Sequence, residues 1–193
     1  MENITTWEKY LDKFEEVLLQ EKPLPPYDDP MYLDYFKLNR SRQKRWLKTA
    51  EIKPELKEVI QAIKGKQTWY LITEPWCGDA AHNVPFIYLM SKLNPNITLK
   101  IVWRDVEPFM IDDYLTNGGK SIPKLVIRNE SGKDLHVWGP RPAECQVLFQ
   151  ELKDENADFE KQKVELQNWY NKDKGMSIQK EFLQIFESLE NVK

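Results

Sequence analysis

The stretch Trp69-Tyr70-Leu71-Ile72-Thr73-Glu74-Pro75-Trp76-Cys77-Gly78-Asp79-Ala80-Ala81-His82-Asn83-Val84-Pro85 decides how the chain is read. Its first five residues are aromatic or branched and predict a strand over 68–73. Glu74-Pro75 interrupts that run. Val84, Ile87, Leu89, Met90 and Leu93 then recur at helical spacing and predict a helix over 78–93. Cys77 falls at the junction. A thiol there faces the free N–H groups and the positive end of the helix, which favour the thiolate. Asp79 places a negative charge in the same first turn and opposes it. The position reads as a reactive cysteine, against the alternative of a packed small hydrophobe.

Outward from this stretch, the pattern predicts strand 97–103, helix 108–117, and strands 124–128 and 134–138 joined as a hairpin by Ser131-Gly132. The first two strands flank a helix and are expected to run parallel. Upstream, Trp7, Leu11, Phe14 and Leu18 stripe a helix over 5–21, which Pro23, Pro25 and Pro26 stop. Helical pieces follow Asp28-Asp29-Pro30, run through Arg40 to Lys48, and span Glu55 to Ile63 after Pro54. The five basic residues in nine at Arg40–Lys48 read as a solvated helix face, with Leu38, Trp46 and Leu47 turned inward, rather than as a nucleic-acid patch. Beyond Pro142 the chain reads as helical to about Asn171. A final helix after Gly175 carries Ile178, Phe182, Ile185, Phe186 and Leu189.

Trp76-Cys77-Gly78 resembles the opening of the Trp-Cys-Gly-Pro-Cys motif of the thioredoxin family. Pro85 matches the proline that bends the following helix, Ser121-Ile122-Pro123-Lys124-Leu125 is similar to the family's Ile-Pro-Thr segment, and Gly139 fits its late glycine. The resemblance spans roughly residues 51 to 153 and implies an α/β thioredoxin-like fold, a central mixed sheet with helices on both faces. It implies helical extensions over 1–50 and 154–193 around a core of 51–153. The family's first strand has no visible counterpart. Where the motif has its proline and second cysteine, this chain has Asp79 and Ala80, and Leu71 replaces the family's buried aspartate. The pattern is similar to a divergent group with Trp-Cys-Gly-Asp-Ala in place of the dithiol.

Those departures bear on mechanism. In the dithiol motif the second thiol attacks the mixed disulfide and the buried aspartate accepts its proton. Alanine and leucine do neither. Cys77 is therefore expected to act as a monothiol, with a resolving thiol supplied by a small molecule or a protein. The resemblance also implies a cis bond before Pro123, exposing the main chain of Ile122 to an extended substrate, with Trp76 and Gly78 lining the same groove. The alternative is a non-catalytic binding module that retains the groove, with Cys77 a vestige. His82 is expected on a half-exposed helix face, about 140° around the helix from Cys77. Cys145 is expected in the core. Neither a metal nor another cofactor is expected.

Composition bounds these readings. The chain has 193 residues, 41% hydrophobic and 12% aromatic, which suits a folded domain with additions. Its net charge of −3, from 28 basic and 31 acidic residues, gives no global pull toward nucleic acid. Two cysteines are too few for a disulfide scaffold. No apolar stretch reads as a leader or a membrane span, so a cytoplasmic protein without membrane partners is expected. Self-association through the amphipathic terminal helices stands beside their packing on the core.

Overall fold

The computed structural model describes residues 3–190. A two-residue strand β1 (Ile4–Thr5) precedes helices α1 (Trp7–Leu19), α2 (Pro30–Thr49) and α3 (Pro54–Ala62). Next come β2 (Gln67–Thr73), α4 (Gly78–Ser91), β3 (Ile97–Trp103), β4 (Lys124–Asn129) and β5 (Asp134–Trp138). Three helices end the chain: α5 (Ala143–Asp154), α6 (Phe159–Asp173) and α7 (Met176–Glu190). The strands form one mixed sheet in the order β1-β3-β2-β4-β5, with helices on both faces, the α/β architecture expected of a thioredoxin-like fold.

β2 and β3 run parallel across α4, while β4 pairs antiparallel with β2 and β5 with β4. The two central strands carry Leu71, Ile72, Leu125, Val126 and Ile127, all fully buried. A sheet covered on both faces requires such continuous apolar runs rather than alternation. Helix starts follow local chemistry. Asp29 caps α2 by accepting the Met31 N–H at 2.8 Å, with Pro30 as the first helical residue, and Asp158 caps α6 through the Lys161 N–H.

Several local expectations are corrected. The pieces after Pro30 and through Arg40–Lys48 are one helix, α2, because nothing between them breaks the pattern. Within it Leu38 is exposed and Leu47 half-buried, while Phe36, Asn39, Arg42, Gln43 and Trp46 turn inward. Region 108–117 holds only a short 3-10 turn, Met110–Asp113, in which Ile111 alone is buried. One apolar anchor does not make a helical stripe. The helix after Pro142 is two helices, separated where Asn156 adopts a left-handed φ of 54°. A first strand does exist: Ile4 and Thr5 pair antiparallel with Val102 and Ile101, too short a run to show period-two patterning.

The core is one apolar cluster reaching from Phe14 in α1 to Phe186 in α7. On α1 the buried stripe is Trp7, Tyr10, Phe14 and Val17, slightly rotated from the expected one. Phe186 stacks on Trp69 of β2 at 5.7 Å and 12°, and Phe182 packs beside both. Burying each such side chain is worth about 1.5–3 kcal/mol. Among the described residues no helix is long and apolar enough to cross a membrane.

Candidate functional site

β2 ends at Thr73, and a tight turn closed by the Cys77 N–H on the Glu74 carbonyl (3.2 Å) delivers Cys77 to the N-cap of α4. The Sγ accepts the Ala80 N–H at 3.4 Å and donates to the Ile122 carbonyl at 3.3 Å. The Ile122–Pro123 peptide bond is cis. Gly139 packs on it: a Cβ there would lie 2.2 Å from the Pro123 oxygen, and its φ is +112°. Trp76 is half-buried under the Arg104 guanidinium, 4.4 Å from its ring. Gly78 is also filled over, since a Cβ at that position would meet Tyr35 Oη at 2.1 Å. Trp76, Cys77, Gly78 and Ile122 thus line one cavity of about 560 Å³. α2 adds Tyr35 and Arg42 to its wall, and α5 and α6 add Phe149, Lys163 and Tyr170.

Burial decides the state of the thiol. Cys77 is 7% exposed, and its ionisation is pushed up to about 12, first by desolvation and then by the charge of Asp79. The Ala80 N–H at the helix N-terminus acts the other way and loses. The resting thiol is neutral. Asp79 is itself held from two sides. Its Oδ1 accepts the Tyr170 hydroxyl at 2.8 Å and its Oδ2 pairs with Arg141 at 2.7 Å. The Arg141 guanidinium lies 3.9 Å from the Phe149 ring. Asn83 donates to both the Asp79 carbonyl and the Tyr170 hydroxyl, tying α4 to α6.

His82 is buried, not half-exposed as expected. Its Nδ1 accepts from the Trp46 indole at 3.0 Å, its Nε2 lies 3.0 Å from Gln167 Oε1, and its ring stacks on Tyr170 at 4.4 Å. With Nδ1 accepting, Nε2 donates to Gln167, which fixes the neutral tautomer. Burial pushes its ionisation down to about 3. Helix α6 supplies these partners, so periodicity within α4 alone could not place the ring. His82 holds helices together and is no base for Cys77.

Cys145 is fully buried in α5 and does not line the cavity, and both cysteines are free. Leu71 and Ala80 are fully buried. No group of three or more His, Cys, Asp or Glu side chains suited to a metal occurs among the described residues. The expected residues Trp76, Cys77, Gly78, Ile122 and Pro123 come together. Sequence reasoning missed Tyr35, Arg42, Arg141, Phe149 and Tyr170. For Arg42 a signal was available: it continues the helical spacing of Phe36, Asn39, Gln43 and Trp46.

Residues 27–153 match the family model described as thioredoxin, about two-thirds of the chain and both the Cys77 turn and Pro123. The chain belongs to the thioredoxin family. Helix α6, which closes the cavity, lies beyond the thioredoxin-matched segment. No curated protein sequence matches the chain. Among solved structures, it is similar to a protein of unknown function from Pseudomonas aeruginosa, at 19% identity and a TM-score of 0.53, covering 95% of this chain and 98% of that one. It is also similar to an HIV epitope-scaffold, at 17% identity and a TM-score of 0.55, covering 95% and 99%. At these identities the likeness concerns the fold.

Proposed function

We propose that this thioredoxin-family protein is a monothiol thiol-redox protein in which Cys77 alone forms mixed disulfides. The observation that carries the reading is the placement of Cys77 Sγ on the floor of the cavity, between the Ala80 N–H and the Ile122 carbonyl. A thiolate formed there meets a donor already aimed at it. The Cys77 proton passes to solvent, and the thiolate attacks one sulfur of a disulfide RSSR. The new Cys77–SR bond forms as the R–S–S–R bond breaks, and RS⁻ leaves with the electron pair. A second thiol then attacks the Cys77-bound SR group, forming its own disulfide with R and returning Cys77 to the thiol. Ala80 supplies no internal thiol for that second step.

A neutral resting thiol makes the first step slow at neutrality, and faster by about tenfold per pH unit while the thiolate is scarce. A second reading draws on the same burial: a thioredoxin-fold binding module whose Cys77 does not react. Incubation with 2-hydroxyethyl disulfide at pH 9, followed by intact and peptide mass analysis, separates the two. One adduct on Cys77, lost in Cys77→Ser, supports the monothiol reading. An unmodified Cys77 supports the module.

A further inference from the structure

We propose that the cavity beside Cys77 binds a small thiol or disulfide through its oxyanion, which pairs with Arg42 and Lys163, the two cations that lie beside the Tyr35 ring. The proposal rests on the monothiol reading for the ligand's sulfur and on the cavity's charges for its anion. Five cations and one carboxylate line the cavity. The carboxylate, Asp79, is taken up by Arg141 and Tyr170. Arg104 is paired with Asp105 and Lys120 with Asp112. Arg42 differs. It is 8% exposed and hydrogen-bonds Asn39 Oδ1 at 2.9 Å, and no carboxylate forms an ion pair with it among the described residues. A buried cation without a counter-ion is unfavourable unless something supplies one.

Lys163 from α6 lies 5.6 Å from the Tyr35 ring and Arg42 from α2 lies 5.3 Å from it. Two cations therefore converge on one aromatic ring from two helices. Lys163 is itself paired with Glu160 at 2.7 Å, and that partner has 65% of its side chain in solvent, so a bound anion would share Lys163 with it. The hydroxyl end of the same Tyr35 ring covers Gly78, next to Cys77. The Tyr35 ring thus lies beside both cations and the thiol turn. A ligand with an oxyanion at Arg42 and Lys163 can set a sulfur at Cys77.

The geometry points to a small molecule rather than a protein chain. A volume of about 560 Å³ lies in the range of small-molecule sites. The Ile122 carbonyl, the edge an extended peptide would use, is occupied by Cys77 Sγ at 3.3 Å. Carboxylate and phosphate share the chemistry a guanidinium recognises, and two unreactive probes separate them: S-methylglutathione for carboxylate and desulfo-coenzyme A for phosphate.

Isothermal titration of the full chain is expected to detect at least one probe, with affinity falling as salt rises. Arg42→Gln and Lys163→Gln should each weaken it by about tenfold, the loss of one charged contact. Arg42→Lys should keep part of it. Lys163 is partly exposed, so its variant tests the site even if Arg42→Gln misfolds. The probe that binds names the anion. Binding of neither probe, or binding unchanged in Lys163→Gln and Arg42→Lys alike, overturns the proposal. Because the probes form no disulfide, that result is independent of whether Cys77 reacts with 2-hydroxyethyl disulfide.

Discussion

Tyr35 Oη occupies the space that a side chain on Gly78 would need, 2.1 Å from the position of its Cβ. Helix α2, which lies within the segment matched by the thioredoxin family, is thereby packed onto the thiol turn. Gly78→Ala is expected to destabilise the fold by about 1–3 kcal/mol through overpacking. Tyr35→Phe removes the clashing oxygen, so the double variant should lose less than the sum of the two. Chemical denaturation of the four proteins of the cycle measures this.

Asp79 raises the ionisation of Cys77, so Asp79→Asn is expected to lower it. The same change frees Arg141, whose charge acts in the same direction. Alkylation of Cys77 by iodoacetamide at pH 8 should accelerate by roughly 3- to 10-fold. In the wild type the rate should keep climbing to the highest pH at which the fold survives, without a plateau near neutrality.

Glu74 is buried, and desolvation pushes its carboxyl up to about 7, although it accepts the Asp105 N–H at 3.0 Å. The folded chain therefore keeps a proton that the unfolded chain releases near 4.5. Its contribution to stability is fully present below 4.5 and is lost as pH rises through 7. Glu74→Gln retains the acceptor without the charge. It is expected to stabilise the protein at pH 8 by on the order of 2 kcal/mol and to change little at pH 4.5, as read from melts at the two pH values.

Phe186 stacks on Trp69 and is 1% exposed. Phe186→Ala should cost about 3–5 kcal/mol, and the loss should appear as one cooperative transition because α7 shares the apolar cluster of the sheet. A separate early transition of α7, with the remainder melting unchanged, would contradict that.

Ala80→Cys restores the second thiol of the dithiol motif but not its buried aspartate, since Leu71 remains. The variant is expected to gain dithiothreitol-dependent insulin reduction over a wild type that shows little. Comparable turnover in both would contradict the monothiol assignment.

Strands β2 to β5, the parallel pairing of β2 with β3 and the β4–β5 hairpin were legible because they lie in continuous apolar runs and at a turn signal. The family resemblance implied the Cys77–Ile122–Pro123 convergence; the strand order and the two-residue β1 were not legible. Tyr35, Arg141 and Tyr170 were not, because each acts on the Cys77 turn from 42 to 93 residues away from Cys77 in sequence, through contacts that no local period encodes. His82 was misplaced for the same reason, since its burial comes from Trp46, Gln167 and Tyr170. The state of the thiol was open because the helix terminus and Asp79 oppose each other, and desolvation, which depends on the whole fold, tips the sum.

The most direct test of the central claim is glutathione-dependent reduction of 2-hydroxyethyl disulfide, followed as steady-state turnover by the wild type, Cys77→Ser and Cys145→Ser. Turnover is expected in the wild type and in Cys145→Ser, rising with pH, and is expected to vanish in Cys77→Ser. Turnover that survives Cys77→Ser, or none above the uncatalysed rate in the wild type at any pH up to 9, would contradict the account.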